Sequence, residues 1–138
     1  MRAIVLVDLH NKHGQMIYDY FNSFGFEIEW YDPDYFIKNI EKFESYANRV
    51  FCIPTAWENI PEFFDEIFQK ILNNGNLAIA AKDFEYKYPW TLNNVICADR
   101  SIEMPLGPVK SMTGTSGYCV YLTLLSLVVP SYIEKHFQ

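Results

Sequence analysis

The length and composition of the chain indicate a single folded domain with an acidic surface. Its 138 residues are enough to bury a substantial core, and 50% of them are hydrophobic, which argues against disorder. The formal net charge of -6 and the sequence pI near 4.9 argue against nucleic acid or an anionic membrane as the main partner, but they are compatible with a local phosphate pocket.

The chain begins with a strand, a polar loop and a helix. Residues 3–7, AIVLV, form a continuous apolar run that is typical of a strand buried on both faces. Residues 8–14, DLHNKHG, form a polar loop, and residues 15–24 then place apolar side chains at helical spacing. Gly25 is expected to end this helix.

A second strand and a second helix follow. Residues 26–31, FEIEWY, alternate apolar and acidic positions, which predicts a half-exposed strand at an edge of the sheet. Residues 32–34, DPD, are typical of a turn. Apolar side chains at helical spacing within residues 35–46 predict a short helix.

The central stretch, residues 49–72, is interpreted as a buried strand, a loop and an amphipathic helix. Residues 50–53 are a short apolar run bounded by proline, which is a strand signal. An apolar stripe from Ile60 to Leu72 indicates the helix, and residues 73–75, NNG, are its stop. Because ligands bind at the carboxyl ends of strands in open α/β sheets, the loop between this strand and this helix is the candidate site.

The remainder of the chain completes the alternation of strands and helices. Residues 77–81, LAIAA, are either a short strand or an extension, and residues 95–98, VICA, are a buried strand. Residues 118–129 are uniformly apolar and are either a helix or a buried strand, and a final helix follows Pro130. The whole order predicts a doubly wound parallel sheet in a single domain that covers residues 1–138.

Cysteine usage and the apolar runs predict a soluble, cytoplasmic protein. The three cysteines, Cys52, Cys97 and Cys119, form no CxxC pair, and the first two fall in predicted strands, so reduced core thiols are expected. The N-terminal apolar run lacks a cleavage signal and is interpreted as a strand rather than a signal peptide. The longest apolar run, residues 118–130, is shorter than the roughly 20 residues that a membrane-spanning helix needs.

The residues around the central loop resemble the flavodoxin-like flavoproteins, and among them the NAD(P)H:quinone reductases. That group follows its third strand with a proline, a tryptophan three positions on and a second proline seven positions on, as do Pro54, Trp57 and Pro61 here. A helix with an aspartate among aromatic and aliphatic residues comes next, as in residues 63–68, FFDEIF. The similarity covers residues 2–100. It implies a three-layer α/β sandwich with a parallel sheet of four or five strands.

The resemblance also implies which loops hold a flavin, with FMN favoured over FAD. An aromatic face and backbone N–H groups suit the flavin ring, and the loop that would cup the ring consists of Pro54, Thr55, Ala56, Trp57, Glu58 and Asn59. A phosphate suits a helix N-terminus, and the first loop that would hold it consists of His10, Asn11, Lys12, His13, Gly14 and Gln15. The third contact region would include Asp99 and Arg100.

The first loop departs from the family, and other interpretations of these residues stay open. The serines and threonines that are usual in such a phosphate loop are missing from residues 8–15. Residues 107–117, which include SMTGTSG, are a second candidate anion loop, although they lack the lysine and the spacing of a P-loop. His10 and His13 lack a third metal ligand nearby. Asp8 and Asp99 form a carboxylate pair in one interpretation and cap helices in the other.

The sequence is compatible with two functions. The first is a flavoprotein oxidoreductase in which FMN takes hydride from NAD(P)H and reduces a quinone-like acceptor, so that no side-chain nucleophile is needed. The second is a non-enzymatic module that binds a nucleotide-like ligand on the same scaffold. A hydrolase or transferase that uses Asp8, His10 or His13 has no supporting spacing, and a receiver-type phosphorylation module is excluded because Ile53 and Pro54 stand where it needs an aspartate. The dense aromatic residues and the apolar tail predict a homodimer.

Overall fold

The computed structural model describes residues 3–54, 60–81 and 95–98 of the chain. Its elements in chain order are β1 (Ala3–Val7), α1 (Lys12–Asn22), β2 (Ile28–Tyr31), α2 (Pro33–Lys38), a 3-10 helix (Ile40–Phe43), β3 (Arg49–Ile53), α3 (Phe64–Asn73), β4 (Leu77–Ala81) and β5 (Val95–Ala98). Residues 77–81 are therefore a strand rather than an extension, and they bring the sheet to five strands. The predictions for residues 118–129 lie outside the described residues.

The five strands form one parallel sheet in the order β2-β1-β3-β4-β5. Within it, Leu6 of β1 is paired with Trp30 of β2 on one side and with Cys52 of β3 on the other. This order confirms the predicted flavodoxin-like α/β fold with a parallel sheet. In the described sheet β2 lies at an edge and its four residues are half-buried, as its alternating sequence predicts.

Helices cover both faces of the sheet, which makes the domain a three-layer sandwich. Val5 and Val7 belong to one buried cluster with residues of α2, the 3-10 helix and α3. Because alternate residues of a strand point to opposite faces, Ile4 and Leu6 point to the other face, where α1 packs on Trp30. The first face contains what we call the phenylalanine cluster, five fully buried rings at Phe36, Phe43, Phe51, Phe64 and Phe68.

The boundaries of α1 and α3 differ from the predictions. α1 begins at Lys12 rather than at residue 15, because the side chain of Asn11 accepts a hydrogen bond from the Gly14 backbone N–H at 2.9 Å. α3 begins at Phe64, and Pro61 therefore lies in the turn before the helix instead of in its first turn.

The predicted turn at residues 32–34 is the beginning of a helix. Asp32 accepts a hydrogen bond from the Asp34 backbone N–H at 3.1 Å, and Pro33 occupies a first-turn position that its fixed φ suits. The helix predicted within residues 35–46 is divided at Asn39, whose φ of -116° and ψ of 27° are not helical.

Both predicted helix stops are confirmed. Gly25 and Gly75 lie beyond the ends of α1 and α3 with φ values of 86° and 80°. These are left-handed conformations that glycine adopts at no steric cost. The chain can therefore reverse at the amino edge of the sheet and enter the next strand.

Candidate functional site

The strands that precede the two candidate loops, β1 and β3, are neighbours that end at the same carboxyl edge of the sheet. β1 and β3 are adjacent, and α1 follows β1 on one face whereas α3 follows β3 on the other. Where connections diverge from neighbouring strands in this way, open α/β sheets bind ligands in a crevice outside the strand ends. We call this space the switch-point crevice. Among the described residues it is defined by residues 8–11, which follow β1, by Pro54, which follows β3, and by residues 60–63, which precede α3.

Most of the predicted ring-binding loop lies outside the described residues. Pro54 follows β3 directly and is buried. The chain is described again from Ile60, which is half-buried and packs against the core cluster that contains the phenylalanine rings. The site residues that the structure does not describe are Thr55, Ala56, Trp57, Glu58, Asn59, Asp99 and Arg100, together with residues 107–117.

The predicted phosphate loop is largely the first turn of α1. Lys12, His13, Gly14 and Gln15 are helical, and Asn11 is the N-cap. The backbone carbonyl of Asn11 accepts the Gln15 N–H at 2.9 Å, as in a regular first turn. The prediction of a six-residue loop is therefore wrong in its extent, and only His10 and Asn11 precede the helix.

Gly14 is buried because an indole ring occupies the space beside it. A Cβ atom at this position would lie 2.5 Å from Cζ2 of Trp30 and 2.6 Å from the backbone oxygen of Leu9. Real Cβ atoms do not approach other atoms so closely. The glycine is thus needed for close packing between α1 and β2, a role that the sequence analysis did not assign to it.

Trp30 connects the first loop to the edge strand. Its Nε1 donates a hydrogen bond to the backbone oxygen of Asp8 at 3.0 Å. The ring of His10 stacks on it with centroids 4.1 Å apart and an angle of 18° between the planes, and Tyr18 stacks at 5.8 Å. The contact of Trp30 with the first loop was not predicted from the sequence. The only sequence signal for it is that Trp30 occupies an apolar position in the alternating edge strand.

Asp8 is a buried carboxylate at the base of the first loop. It is 6% exposed, and its Oδ1 accepts the Leu9 backbone N–H at 2.8 Å. Asn11, not Asp8, caps α1, and the interpretation that pairs Asp8 with Asp99 lies outside the described residues. Cys52 is buried and forms no disulfide, as predicted, and burial raises the pKa of its thiol, an effect to which the Asp8 carboxylate adds.

Two apolar side chains are exposed on the loops that border the switch-point crevice. Leu9 on the first loop is 52% exposed, and Phe63 just before α3 is 48% exposed. Exposed apolar groups beside a ligand crevice are the groups that a flat ring would cover. The side chain of Lys12, in contrast, lines a groove along the outer surface of α1 with Gln15, Met16, Asp19, Tyr20 and Ser23.

Asp65 is the second titratable group near this edge, in the first turn of α3. Its Oδ1 atom is buried and has no hydrogen-bond partner among the described residues. Burial raises the pKa of its carboxyl group above the ordinary value of 3.8. The N-terminus of a helix favours a negative charge, whereas burial acts in the opposite direction on this carboxyl group.

The Asp65→Asn variant is expected to have a Tm about 1–2 °C above that of the parent protein at pH 7. An acid whose pKa rises on folding contributes its full stability below its unfolded pKa, and this contribution is lost as the pH rises through the folded pKa. The difference in Tm should therefore disappear toward pH 3 in thermal melts. Glu66→Gln, whose side chain is 78% exposed, is the neighbouring control and should leave Tm almost unchanged. A lower Tm for Asp65→Asn at pH 7 would contradict this account.

A further cluster of titratable groups stabilises the edge strand. The hydroxyls of Tyr31 and Tyr46 both donate to Oε1 of Glu29, at 3.1 and 2.7 Å. Burial raises the pKa of both tyrosines, so they stay protonated and can donate at neutral pH. The cluster ties the segment before β3 to β2.

Comparisons with known proteins identify no relative. No family model, curated protein or solved structure matches the chain. Within the described ranges there is no group of three or more His, Cys, Asp or Glu side chains that could hold a metal ion. No helix in those ranges is long and apolar enough to cross a membrane.

Proposed function

We propose that the protein is a flavodoxin-like flavoprotein that binds a flavin in the switch-point crevice. The observation that supports this best is the parallel strand order β2-β1-β3-β4-β5, because flavodoxin-like sheets of this order bind FMN at the β1/β3 switch point. FMN is the form that the sequence resemblance implies, with FAD less favoured.

The ring end of a flavin is compatible with the described residues. Leu9 and Phe63 expose apolar surface from the two bordering loops, and Pro54 is buried where the second loop begins. An aromatic or aliphatic contact of this kind suits a flat conjugated ring. The stacking role of Trp57 belongs to the same proposal and rests on the resemblance.

The proposed activity is transfer of hydride from NAD(P)H to a quinone-like acceptor. A bound flavin supplies the redox chemistry, and the protein supplies binding and orientation. A homodimer and a cytoplasmic location are part of this proposal, and they rest on the aromatic content and on the isolated cysteines.

The phosphate end does not fit the first loop. This loop has no hydroxyl side chain, Asn11 uses its side-chain oxygen to cap α1, and the space next to Gly14 is filled by Trp30. These contacts argue against a phosphate at the first loop. The second candidate function, a non-enzymatic module on the same scaffold, would therefore bind a flat ligand without placing a phosphate there.

We expect the purified protein to retain flavin absorbance bands after incubation with excess flavin and gel filtration. Phe63→Ala should weaken flavin binding roughly three- to tenfold, since it removes about 1 kcal/mol of apolar contact. Trp57→Ala should also weaken it. The control is Phe24→Ala, another exposed phenylalanine (37% exposed), which lies just after α1 at the opposite edge of the sheet.

A colourless protein that retains none of the three flavins riboflavin, FMN and FAD would contradict the flavoprotein proposal. If flavin is retained, NADPH should bleach it under anaerobic conditions, and a quinone should restore the colour. Retention without bleaching by NADPH or NADH would favour the non-enzymatic module.

A further inference from the structure

We infer that the switch-point crevice selects a flavin by its ring and its uncharged ribityl tail, and that riboflavin rather than FMN is the preferred form. This inference rests on the proposed flavin binding and deepens it. It follows from three features of the first loop: its hydrogen-bond donors, its packing and its charge.

Three backbone donors of the first loop are used inside the loop itself. The Leu9 N–H donates to Asp8 Oδ1 at 2.8 Å, and the Asn11 N–H donates to the Leu9 carbonyl at 2.9 Å. The Gly14 N–H donates to Asn11 Oδ1 at 2.9 Å. A phosphate is held by several N–H groups that converge on it, and these three are already paired.

Close packing prevents the loop from wrapping around an anion. A glycine in a phosphate loop lets the backbone approach the ligand, but Gly14 approaches Trp30 instead, with the indole at the position of a missing Cβ. The indole is itself fixed by its hydrogen bond to the Asp8 backbone oxygen. Release of Gly14 for a phosphate would require α1 and β2 to separate.

The described charges of the first loop disfavour a dianion. Asp8 places a buried carboxylate at the base of the loop, where a phosphate would meet a like charge in a poorly solvated setting. Of the basic side chains that the structure describes in this loop, His10 stacks on Trp30, and Lys12 is exposed and lines the outer groove of α1. A ribityl chain carries no charge, and its hydroxyls can donate to carboxylate and carbonyl oxygens.

Isothermal titration of the full chain with riboflavin and with FMN tests this inference. Riboflavin should bind at least as tightly as FMN, with a preference of up to roughly tenfold, because the phosphate adds like-charge repulsion and gains no compensating contact from the described residues of the first loop. The affinity for FMN should increase modestly from 50 to 500 mM NaCl, since salt screens the long-range repulsion between the phosphate and the chain's net charge of -6, whereas the affinity for riboflavin should stay constant.

The Asp8→Asn variant is designed to reverse the preference. Asparagine has the shape of aspartate and keeps a side-chain oxygen for the Leu9 N–H, so the variant should improve FMN affinity several-fold relative to riboflavin. Asp19→Asn on the outer surface of α1 is the matched control and should leave the ratio of the two affinities unchanged. If Asp8→Asn does not fold, the ratio and its salt dependence in the parent protein decide the question.

The outcomes separate this inference from the flavin proposal. FMN binding that is tenfold or more tighter than riboflavin binding, and that weakens with salt, would overturn this inference and leave the proposed function standing. Failure of both flavins to bind would overturn both.

Discussion

The Phe64→Ala variant is expected to lose about 3–5 kcal/mol of the free energy of unfolding. Phe64 is 0% exposed and lies in the phenylalanine cluster, with its ring centroid 5.3 Å from that of Phe68 and 6.4 Å from that of Phe36. Its removal leaves a cavity between α3, α2 and the sheet, which close packing cannot refill. Small domains have only about 5–15 kcal/mol of stability, so this loss should be visible as a large shift of the urea midpoint.

The adjacent residue provides the control for this prediction. Phe63 has the same side chain but is 48% exposed, so Phe63→Ala should change the free energy of unfolding by about 0.5 kcal/mol or less. For flavin affinity the order of the two effects should reverse: Phe63→Ala should weaken binding more than Phe64→Ala does, because Phe63 borders the switch-point crevice. Equal losses of stability in urea titrations would show that α3 does not present Phe64 to the core.

The Asn76→Ala variant is expected to lose about 2–4 kcal/mol of the free energy of unfolding, since it leaves buried polar groups without partners. Asn76 is 3% exposed, and its Oδ1 accepts the Arg49 backbone N–H at 2.9 Å. Its Nδ2 donates to the backbone oxygens of Tyr46 at 2.8 Å and of Ile71 at 2.7 Å. One side chain therefore ties the entry of β3 to the end of α3 and the entry of β4.

Two further variants separate hydrogen bonding from volume at this position. Asn76→Asp keeps the shape of the side chain and the acceptor for the Arg49 N–H, but it removes both donated hydrogen bonds. A carboxylate oxygen would then face the backbone oxygens of Tyr46 and Ile71, so this variant should also be strongly destabilised at neutral pH. Asn74→Ala removes one exposed hydrogen bond to the same Tyr46 carbonyl, at 2.9 Å, and should cost about 0.5 kcal/mol or less. If Asn74→Ala and Asn76→Ala have the same urea midpoint, Asn76 does not join the two connections.

Asn76 and the switch-point crevice lie at opposite edges of the sheet. Asn76 precedes β4 at the amino edge, whereas Leu9 and Phe63 lie beyond the carboxyl ends of β1 and β3. Stability variants at the amino edge should therefore leave the ratio of riboflavin to FMN affinity unchanged. This separation allows the predictions on stability and on binding to be measured independently.

The secondary structure of the described residues was predictable wherever its signal is local. The continuous apolar run of residues 3–7, the alternation in residues 26–31 and the glycines at positions 25 and 75 indicated two strands and two helix stops that the structure confirms. Such patterns arise because side chains repeat every two residues in a strand and every 3.6 in a helix, so a window of a few residues contains the whole signal. Helix starts were predicted less well, because a cap such as Asn11 lies outside the apolar pattern.

The strands that precede the two candidate loops were predictable, but the contacts of the first loop were not. Apolar strands followed by polar loops were sufficient to select the segments after β1 and β3, and these two strands are adjacent in the sheet. That Trp30 occupies the space beside Gly14 depends on the pairing of Leu6 with Trp30, which is a long-range register between two strands. The burial of Asp8, beside Trp30 and Cys52, likewise depends on neighbours from distant parts of the chain. Helices and strands follow from local periodicity in the sequence. Strand order, the burial of side chains, and the space and charge that a ligand phosphate would meet depend on contacts that exist only after the sheet has assembled.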